Sequence, residues 1–535
     1  MIFFYIFFLS FFLSAVLKQD KSKFRPLSPL LLVNILILVL YLFVDEITGS
    51  GFTRSFWYHL NFNLNSGTYA PYFLVFILDI FLLILTILLG YFLSLKINLL
   101  KNNFNHKLSI ILLILNPAFF SIILSYVEWK NFYNTNNDEL EISNYYYDLE
   151  DLDKKFEKRD LIFISLESFE RTYYSKKLSK KIELDLLNRK DTYDFTNIKQ
   201  IKDYTDWTIA GLVAANCGKP ITYVDNSNSL DFFSSFSPNS ICLSDYLDHQ
   251  NYDQFLIQGS SLKFAGNGNF YKLHNVLNQF GKNEIQKIFK NKNLEISHWG
   301  VHDNHVLEFA EQKIFELENI GKPYAIWLNT LDNHAPSGLL SNLCKKITPF
   351  IKNQMLKIAK CTDIFVNNFI NKIYEQDLNK NNLIVIHSDH LLMNSFFQKK
   401  FFDDENKRRN LFLIIDPYKI DKKKFFEASG NHFDIPATIL DYLYNKNKIG
   451  LGKSLMKNKF ISNDLDYSIS PDFNDFKIIK KYEKEIVKKE KNLFNYSFNL
   501  DFKNESLVFQ NGLNIKLPLI KTSNNIYLST EDVDG

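Results

Sequence analysis

Four long apolar stretches crowd the first 127 residues: Ile2–Leu17, Leu30–Val44, Tyr72–Leu95 and Leu108–Val127. Nothing else constrains the chain as strongly, because an apolar run of about 20 residues satisfies its backbone in hydrocarbon only as a helix. The last two are long enough to span a bilayer; the first two are slightly short and rely on flanking residues. The basic residues of the first stretch follow it and no small-residue cleavage pattern is visible, so it reads as a retained span and not a cleaved leader. Lys18, Lys21, Lys23 and Arg25 separate the first two stretches, and Lys96, Lys101 and Lys107 the last two, whereas Asp45 to Pro71 carries only Arg54. Basic loops stay in the cytoplasm, so everything after Val127 is expected outside it. Asp79, an ionisable residue inside the third stretch, raises a functional question by its position.

Residues 1–127 hold eight Lys and Arg against four Asp and Glu, which leaves 54 basic against 55 acidic residues in the remainder. That balance excludes the basic footprint of a nucleic-acid-binding protein. The four cysteines, Cys217, Cys242, Cys344 and Cys361, all lie in the expected exported part. An even count in an oxidising compartment suggests disulfides with three possible pairings, of which the sequence-local pairs Cys217–Cys242 and Cys344–Cys361 are favoured.

Residues 128–158 are polar and lack apolar periodicity, as a linker does. From residue 159 to 457 short apolar runs (Leu161–Leu166, Gln254–Gln258, Tyr324–Asn329, Leu383–Ile386, Leu411–Ile415) alternate with helical spacing in Asn304–Ile320 and Asn353–Tyr374. The expected fold class is α/β, a mostly parallel sheet covered by helices on both faces, behind a four-helix transmembrane region. Residues 458–535 lose the pattern; Lys477–Lys491 is helix-like and short strand-like pieces follow, as in a small C-terminal appendage.

Ligands of open parallel sheets sit at the carboxyl ends of the strands. Here one run ends in Glu167-Ser168, another leads to Asp332-Asn333-His334, and a third ends in His387-Ser388-Asp389-His390. Carboxylates and imidazoles meeting on one edge are oxygen and nitrogen donors of the kind that hold Zn²⁺, Mn²⁺ or Mg²⁺. A reactive group is offered by DWTIAGLVAANCGKP, residues 206–220, where Thr208 stands in the first turn of a helical run. A helix N-terminus receives anions such as phosphate, and a hydroxyl there is a candidate nucleophile. By itself the position is also that of an ordinary first-turn or capping residue.

LIFISLES, DWTIAGLVAANCGKPI, WLNTLDNHAPSG and VIHSDHLLM, in this order, resemble the blocks of sulfatase-like phosphoglycerol transferases. Membrane enzymes that decorate periplasmic glucans are the nearest in kind; lipoteichoic acid synthases and phosphoethanolamine transferases are more distant. The resemblance covers roughly 160–455 and implies an alkaline-phosphatase/sulfatase-like domain, extracytoplasmic, on a multi-pass protein of the bacterial inner membrane. It implies Glu167, Thr208, Asp389 and His390 as metal ligands, with Mn²⁺ or Mg²⁺ favoured and Zn²⁺ possible. Thr208 would be the nucleophile, and His334 would lie beside the phosphate as proton donor or acceptor. The implied donor is phosphatidylglycerol and the acceptor a hydroxyl of an envelope glycan. Phosphoethanolamine transfer, an exported phosphodiesterase and a catalytically silent sensor are the alternatives.

GSSLKFAGNGNFYKLHNV, residues 259–276, is similar to the family's substrate loop, which would bring Lys263, Lys272 and His274 to the anionic head group. SHWGVHDN, residues 297–304, resembles a block that opens a helix, with no role expected for His302. His432, in GNHFDIPATIL, falls in what resembles the last core block. His387, by strand alternation, is expected to point away from the site. Sulfatases proper use Cys or Ser in a Cys-x-Pro-x-Arg context; Cys217-Gly218-Lys219-Pro220 lacks it, which disfavours sulfate ester hydrolysis.

Overall fold

The computed structural model describes residues 116–133, 158–202, 204–221, 240–290, 294–377, 379–393, 396–402 and 407–456, with short pieces between 37 and 56 and short strands between 498 and 528. The chain divides into two compact units, residues 1–134 with 392–402, and residues 135–391 with 403–535.

In the first unit the helix Pro117–Tyr133 opens with Asn116, whose Oδ1 accepts from the Ala118 N–H at 3.0 Å, and with proline at its first position. It runs six residues past Val127, where the last apolar stretch was expected to end. Phe120, Ile123, Leu124, Tyr126 and Val127 are exposed on it. No helix among the described residues is long and apolar enough to cross a membrane. The first and third apolar stretches, Asp79, most of the second stretch and the first eight residues of the fourth lie outside the described residues, as does Lys477–Lys491.

The second unit is built on a sheet of strands β1 (Asp160–Leu166), β2 (Thr192–Phe195), β4 (Asp253–Gln258), β5 (Asn278–Phe280), β6 (Tyr324–Asn329), β7 (Asn382–Ser388), β8 (Phe412–Ile415) and β9 (Lys424–Phe426); β3 (Ile198–Lys199) pairs separately with Gly430–Asn431. Their order is β5-β4-β6-β1-β7-β8-β2-β9. Pairing is parallel except where β8 meets β7 and β2. β1, β6 and β7 are buried along their whole length, which is why they read as unbroken apolar runs.

Helices cover both faces. On one, the Asp303–Glu318 and Gln354–Gln376 helices pack together, and Asn382 Nδ2 donates to Glu318 Oε1 at 2.7 Å. On the other, Gln254 Nε2 donates to the Ser244 carbonyl at 2.8 Å, and the Tyr271 ring lies 5.6 Å from that of Trp327. The amino ends are clamped by Arg159, whose buried guanidinium donates to Asp416 Oδ2 (2.9 Å) and Oδ1 (3.1 Å) and to the carbonyls of Asn381 and Asn382. Both sequence-local disulfides are present, Cys217–Cys242 and Cys344–Cys361. Further on, Phe498–Asp501, Ser506–Phe509 and Asn514–Lys516 form a small antiparallel sheet, and Leu519–Lys521 pairs with Ile526–Leu528.

Candidate active site

Register brings the site together. Ser165 of β1 is level with Asn329 of β6 and His387 of β7, so Glu167, Thr330 and Asp389 leave the sheet at one edge. The Glu167 N–H donates to Thr330 Oγ1 at 2.9 Å. Ser168 then takes a left-handed conformation (φ 50°), uncommon for a non-glycine residue. Its two donors account for the strain: the Ser168 N–H reaches Asp389 Oδ1 at 2.9 Å, and its hydroxyl reaches Glu167 Oε1 at 2.7 Å. Asp389 Oδ1 also accepts from the His390 N–H at 2.6 Å.

His390 Nδ1 donates to the Leu391 carbonyl at 2.8 Å, which turns Nε2 inward. Nε2 lies 3.4 Å from Glu167 Oε1, 3.5 Å from Asp389 Oδ2 and 3.5 Å from Thr208 Oγ1. Thr208 Oγ1 is in turn 3.3 Å from Glu167 Oε2. Thr208 is the first residue of the Thr208–Cys217 helix, after the extended Trp207. Glu167, Asp389 and His390 are buried, and Thr208 is half-buried.

A glycine sets how closely this helix approaches. A Cβ on Gly211, one turn after Thr208, would lie 1.8 Å from the Asp389 carbonyl oxygen. Alanine in place of a helical glycine normally stabilises by about 1 kcal/mol, so any loss reports the clash. Gly211→Ala is expected to push the helix from the Asp389 turn and lower turnover about 100-fold, the usual consequence of a displacement near 1 Å. Steady-state kinetics beside thermal melting would check it; unchanged turnover would refute the close approach.

The electrostatics of the cluster are those of a cation seat. Burial drives the Glu167 carboxyl up, but His390 and His334 outweigh it and hold Glu167 at about 2. Burial and the charge of Glu167 raise Asp389 well above the usual carboxylate range. Burial opposes the proton on His390, yet Asp389 and Glu167 carry it up to about 10. The three groups thus compete for positive charge at the point they share: Glu167 stays ionised beside a protonated His390, while Asp389 is driven to keep its proton. With the ligand atoms of Glu167, Asp389 and His390 within 4.8 Å of one another, the donor set fits a divalent cation.

His334 stands on a braced turn beyond β6. The Asp303 carboxylate accepts from the Leu331 (2.7 Å) and Asp332 (3.1 Å) N–H groups, and Asp332 accepts from the Asp303 N–H (3.2 Å). Asp332 Oδ1 also bonds His302 Nδ1 at 2.7 Å. His302, expected to have no role, is a buried part of this brace, and Asp332 and Asp303 act with it. His334 Nδ1 donates to the Ala335 carbonyl at 2.7 Å, and its ring lies 4.5 Å from that of Trp299. Trp299 was not singled out in the sequence.

The three loop residues separate. Lys263 is exposed and precedes Phe264, whose ring lies 5.4 Å from Trp299 and 6.3 Å from His334. Lys272 is partly exposed on the Asn267–Leu273 helix. His274 corrects the expectation: it is buried, with Nδ1 2.8 Å from Asp245 Oδ2, in a group with Cys217 and Cys242, so it does not face a head group. His387 is buried beneath the site, bonded to Ser165 Oγ and the Ser388 carbonyl, both at 2.7 Å. His432 Nε2 donates to that same carbonyl at 2.9 Å. Burial lowers His387 to about 3 and His432 to about 4, so both act as neutral supports of the strand end.

Residues 159–445, more than half of the chain, match the family model described as Sulfatase. The chain belongs to the sulfatase family. Residues 1–128 match the model described as the N-terminal domain of phosphoglycerol transferase I. Among curated relatives, the phosphoglycerol transferase I of Shigella flexneri is 34% identical over 310 residues, 57% of this chain and 40% of that protein. The corresponding protein of Escherichia fergusonii is 33% identical over 309 residues, again 57% and 40%. The matches thus span less than half the length of these relatives. Among solved structures, the lipoteichoic acid synthase LtaP of Listeria monocytogenes superposes with TM-score 0.44 at 12% identity, covering 63% of this chain and 92% of that one.

Proposed function

We propose that the protein is a membrane-bound, metal-dependent transferase that moves a phosphoglycerol group from phosphatidylglycerol, through Thr208, to a hydroxyl of an envelope glycan. The observation that carries this reading is the meeting of Thr208 Oγ1 with Glu167 and His390 at a helix N-terminus, where the family match and the geometry coincide. Glu167, Asp389, His390 and the Thr208 hydroxyl would hold the cation, Mn²⁺ or Mg²⁺ in first place and Zn²⁺ next. A bound divalent cation supplies charge neutralisation for phosphoryl oxygens and acidifies a neighbouring hydroxyl.

The Thr208 hydroxyl gives up its proton to water as Oγ1 attacks the phosphorus. The bond to the diacylglycerol oxygen breaks, and that oxygen takes a proton from His334. Free N–H groups at the helix N-terminus offset charge on the remaining phosphoryl oxygens. In the second half, an acceptor hydroxyl gives its proton to His334 and its oxygen attacks the phosphorus; the bond to Thr208 Oγ1 breaks, and that oxygen takes back a proton from water. Lys263, on the exposed turn beside the His334–Trp299 pair, and Lys272 are the candidate cations for the head group.

General acid help to a leaving alcohol contributes about 10²- to 10⁴-fold. His334→Gln is therefore expected to lose that factor with a diacylglycerol leaving group, and far less with a p-nitrophenyl phosphodiester, whose leaving group needs no proton. Equal losses on both substrates would remove His334 from that role. Donor and outcome are tested by supplying lipids with labelled head groups and separating the products. Labelled glycerol phosphate on a glycan supports the reading. Ethanolamine phosphate transfer, glycerol phosphate released to water, or no turnover with metal present would each overturn it.

A further inference from the structure

The Asn342–Ile347 helix and the turn after it carry a surface that the reaction does not use. Phe350 is 95% exposed, and Leu343 and Ile347, four residues apart on one helix face, are 42% and 40% exposed. The stretch SNLCKKITPFIKN, residues 341–353, contains Lys345, Lys346 and Lys352 and no acidic residue. All three lysines are exposed, and among the described residues none pairs with a carboxylate; Lys345 Nζ donates to the Asn342 amide oxygen at 3.3 Å.

This surface is held rigid. Ser341 Oγ caps the helix by accepting from the Cys344 N–H at 3.1 Å, and Thr348 Oγ1 closes it on the Cys344 carbonyl at 2.6 Å. The Cys344–Cys361 disulfide ties it to the Gln354–Gln376 helix. It is also continuous with the catalytic turn: Gln354 Nε2 donates to the Ser337 and Gly338 carbonyls at 3.1 and 3.3 Å, and the Gly338 N–H donates to the His334 carbonyl at 2.9 Å. Glu295 sits at the start of the helix, accepting from the Asn342 N–H at 2.8 and 2.7 Å, but the segment itself combines ordered, exposed apolar side chains with three lysines, the composition of a segment that lies in a membrane interface.

We propose that residues 341–353 dock the catalytic unit on an anionic phospholipid surface, with Phe350, Leu343 and Ile347 entering the interfacial layer, Lys346 and Lys352 facing lipid phosphates, and Lys345, on the other side of the short helix, adding to the attraction within a Debye length. Charge decides the occupant. A second copy of the same face would set the three lysines against their own images, whereas an anionic bilayer is complementary to all three. The docking goes beyond the transferase reading and brings lipid head groups to the side of the unit that carries His334.

The test uses the full chain in proteoliposomes. The four native cysteines are paired, so Phe350→Cys gives one thiol for an environment-sensitive fluorophore. Blue-shifted emission, quenched by spin-labelled lipid, is expected in vesicles containing phosphatidylglycerol and not in phosphatidylcholine alone. Lys345→Gln, Lys346→Gln and Lys352→Gln should each weaken the bound fraction's equilibrium about fivefold, and together about 100-fold. A label at Ile320→Cys, exposed just before β6, should stay in water. Aqueous emission from position 350 in anionic vesicles, equal lipid quenching at 350 and 320, or cross-linking of position 350 between copies would each overturn the proposal. None of these readouts uses donor turnover, so failure here leaves the transferase reading untouched, and the reverse.

Discussion

Thr208→Ala should abolish transfer, lowering turnover by at least about 10⁴-fold, the scale on which a covalent enzyme loses rate with its nucleophile. The fold gives no reason for a wider effect. Thr208 is half-buried at the first position of its helix, where no side-chain cap is made, and alanine suits a helix better than threonine. Melting is therefore expected to move by no more than about 1 kcal/mol, the ordinary size of a change at an exposed site. Thr208→Ser keeps the hydroxyl and should keep most of the activity. Measuring transfer and melting side by side separates a lost nucleophile from a damaged helix. A Thr208→Ala enzyme within tenfold of the parent would mean that Thr208 is only a first-turn residue.

The second large effect concerns Asp389. One of its oxygens is committed to the Ser168 and His390 N–H groups, and the other lies 3.5 Å from His390 Nε2. Asparagine keeps the first pair of bonds through its amide oxygen and places an NH₂ group, which cannot ligate a cation, where the second oxygen was. Asp389→Asn should therefore weaken metal affinity by at least about 100-fold, the upper end of what altering a ligand's supporting partner alone costs. Turnover at fixed metal should fall at least as far. The sign for stability reverses with conditions. In chelator, removing one of two adjoining buried carboxylates relieves their repulsion, so the variant should melt above the parent; with saturating metal it should melt below. Identical melting shifts with and without metal would show that Asp389 holds no cation.

Glu167, Asp389 and His390 were legible in the sequence because buried strands do not end in charged residues without a partner. Three such endings, on β1, β6 and β7, lie on neighbouring strands of the sheet. The helix at Thr208 was equally readable from its apolar run. What could not be read was non-local. Gly211 looks like a weak point in a helix until the Asp389 carbonyl is placed against it. Trp299 and His302 act through the turn after β6, some 30 residues on, by contacts that no periodicity announces. His274 was placed by the likeness of its stretch to the family's substrate loop, whereas the short Asn267–Leu273 helix ends by turning that imidazole toward Asp245.

The most direct test of the central claim is peptide mass spectrometry on the Mn²⁺-loaded protein, quenched after brief exposure to phosphatidylglycerol. The account predicts a glycerophosphoryl adduct on the peptide carrying Thr208, absent from Thr208→Ala. Metal bound with no adduct on that peptide, or an adduct formed only from phosphatidylethanolamine, would contradict it.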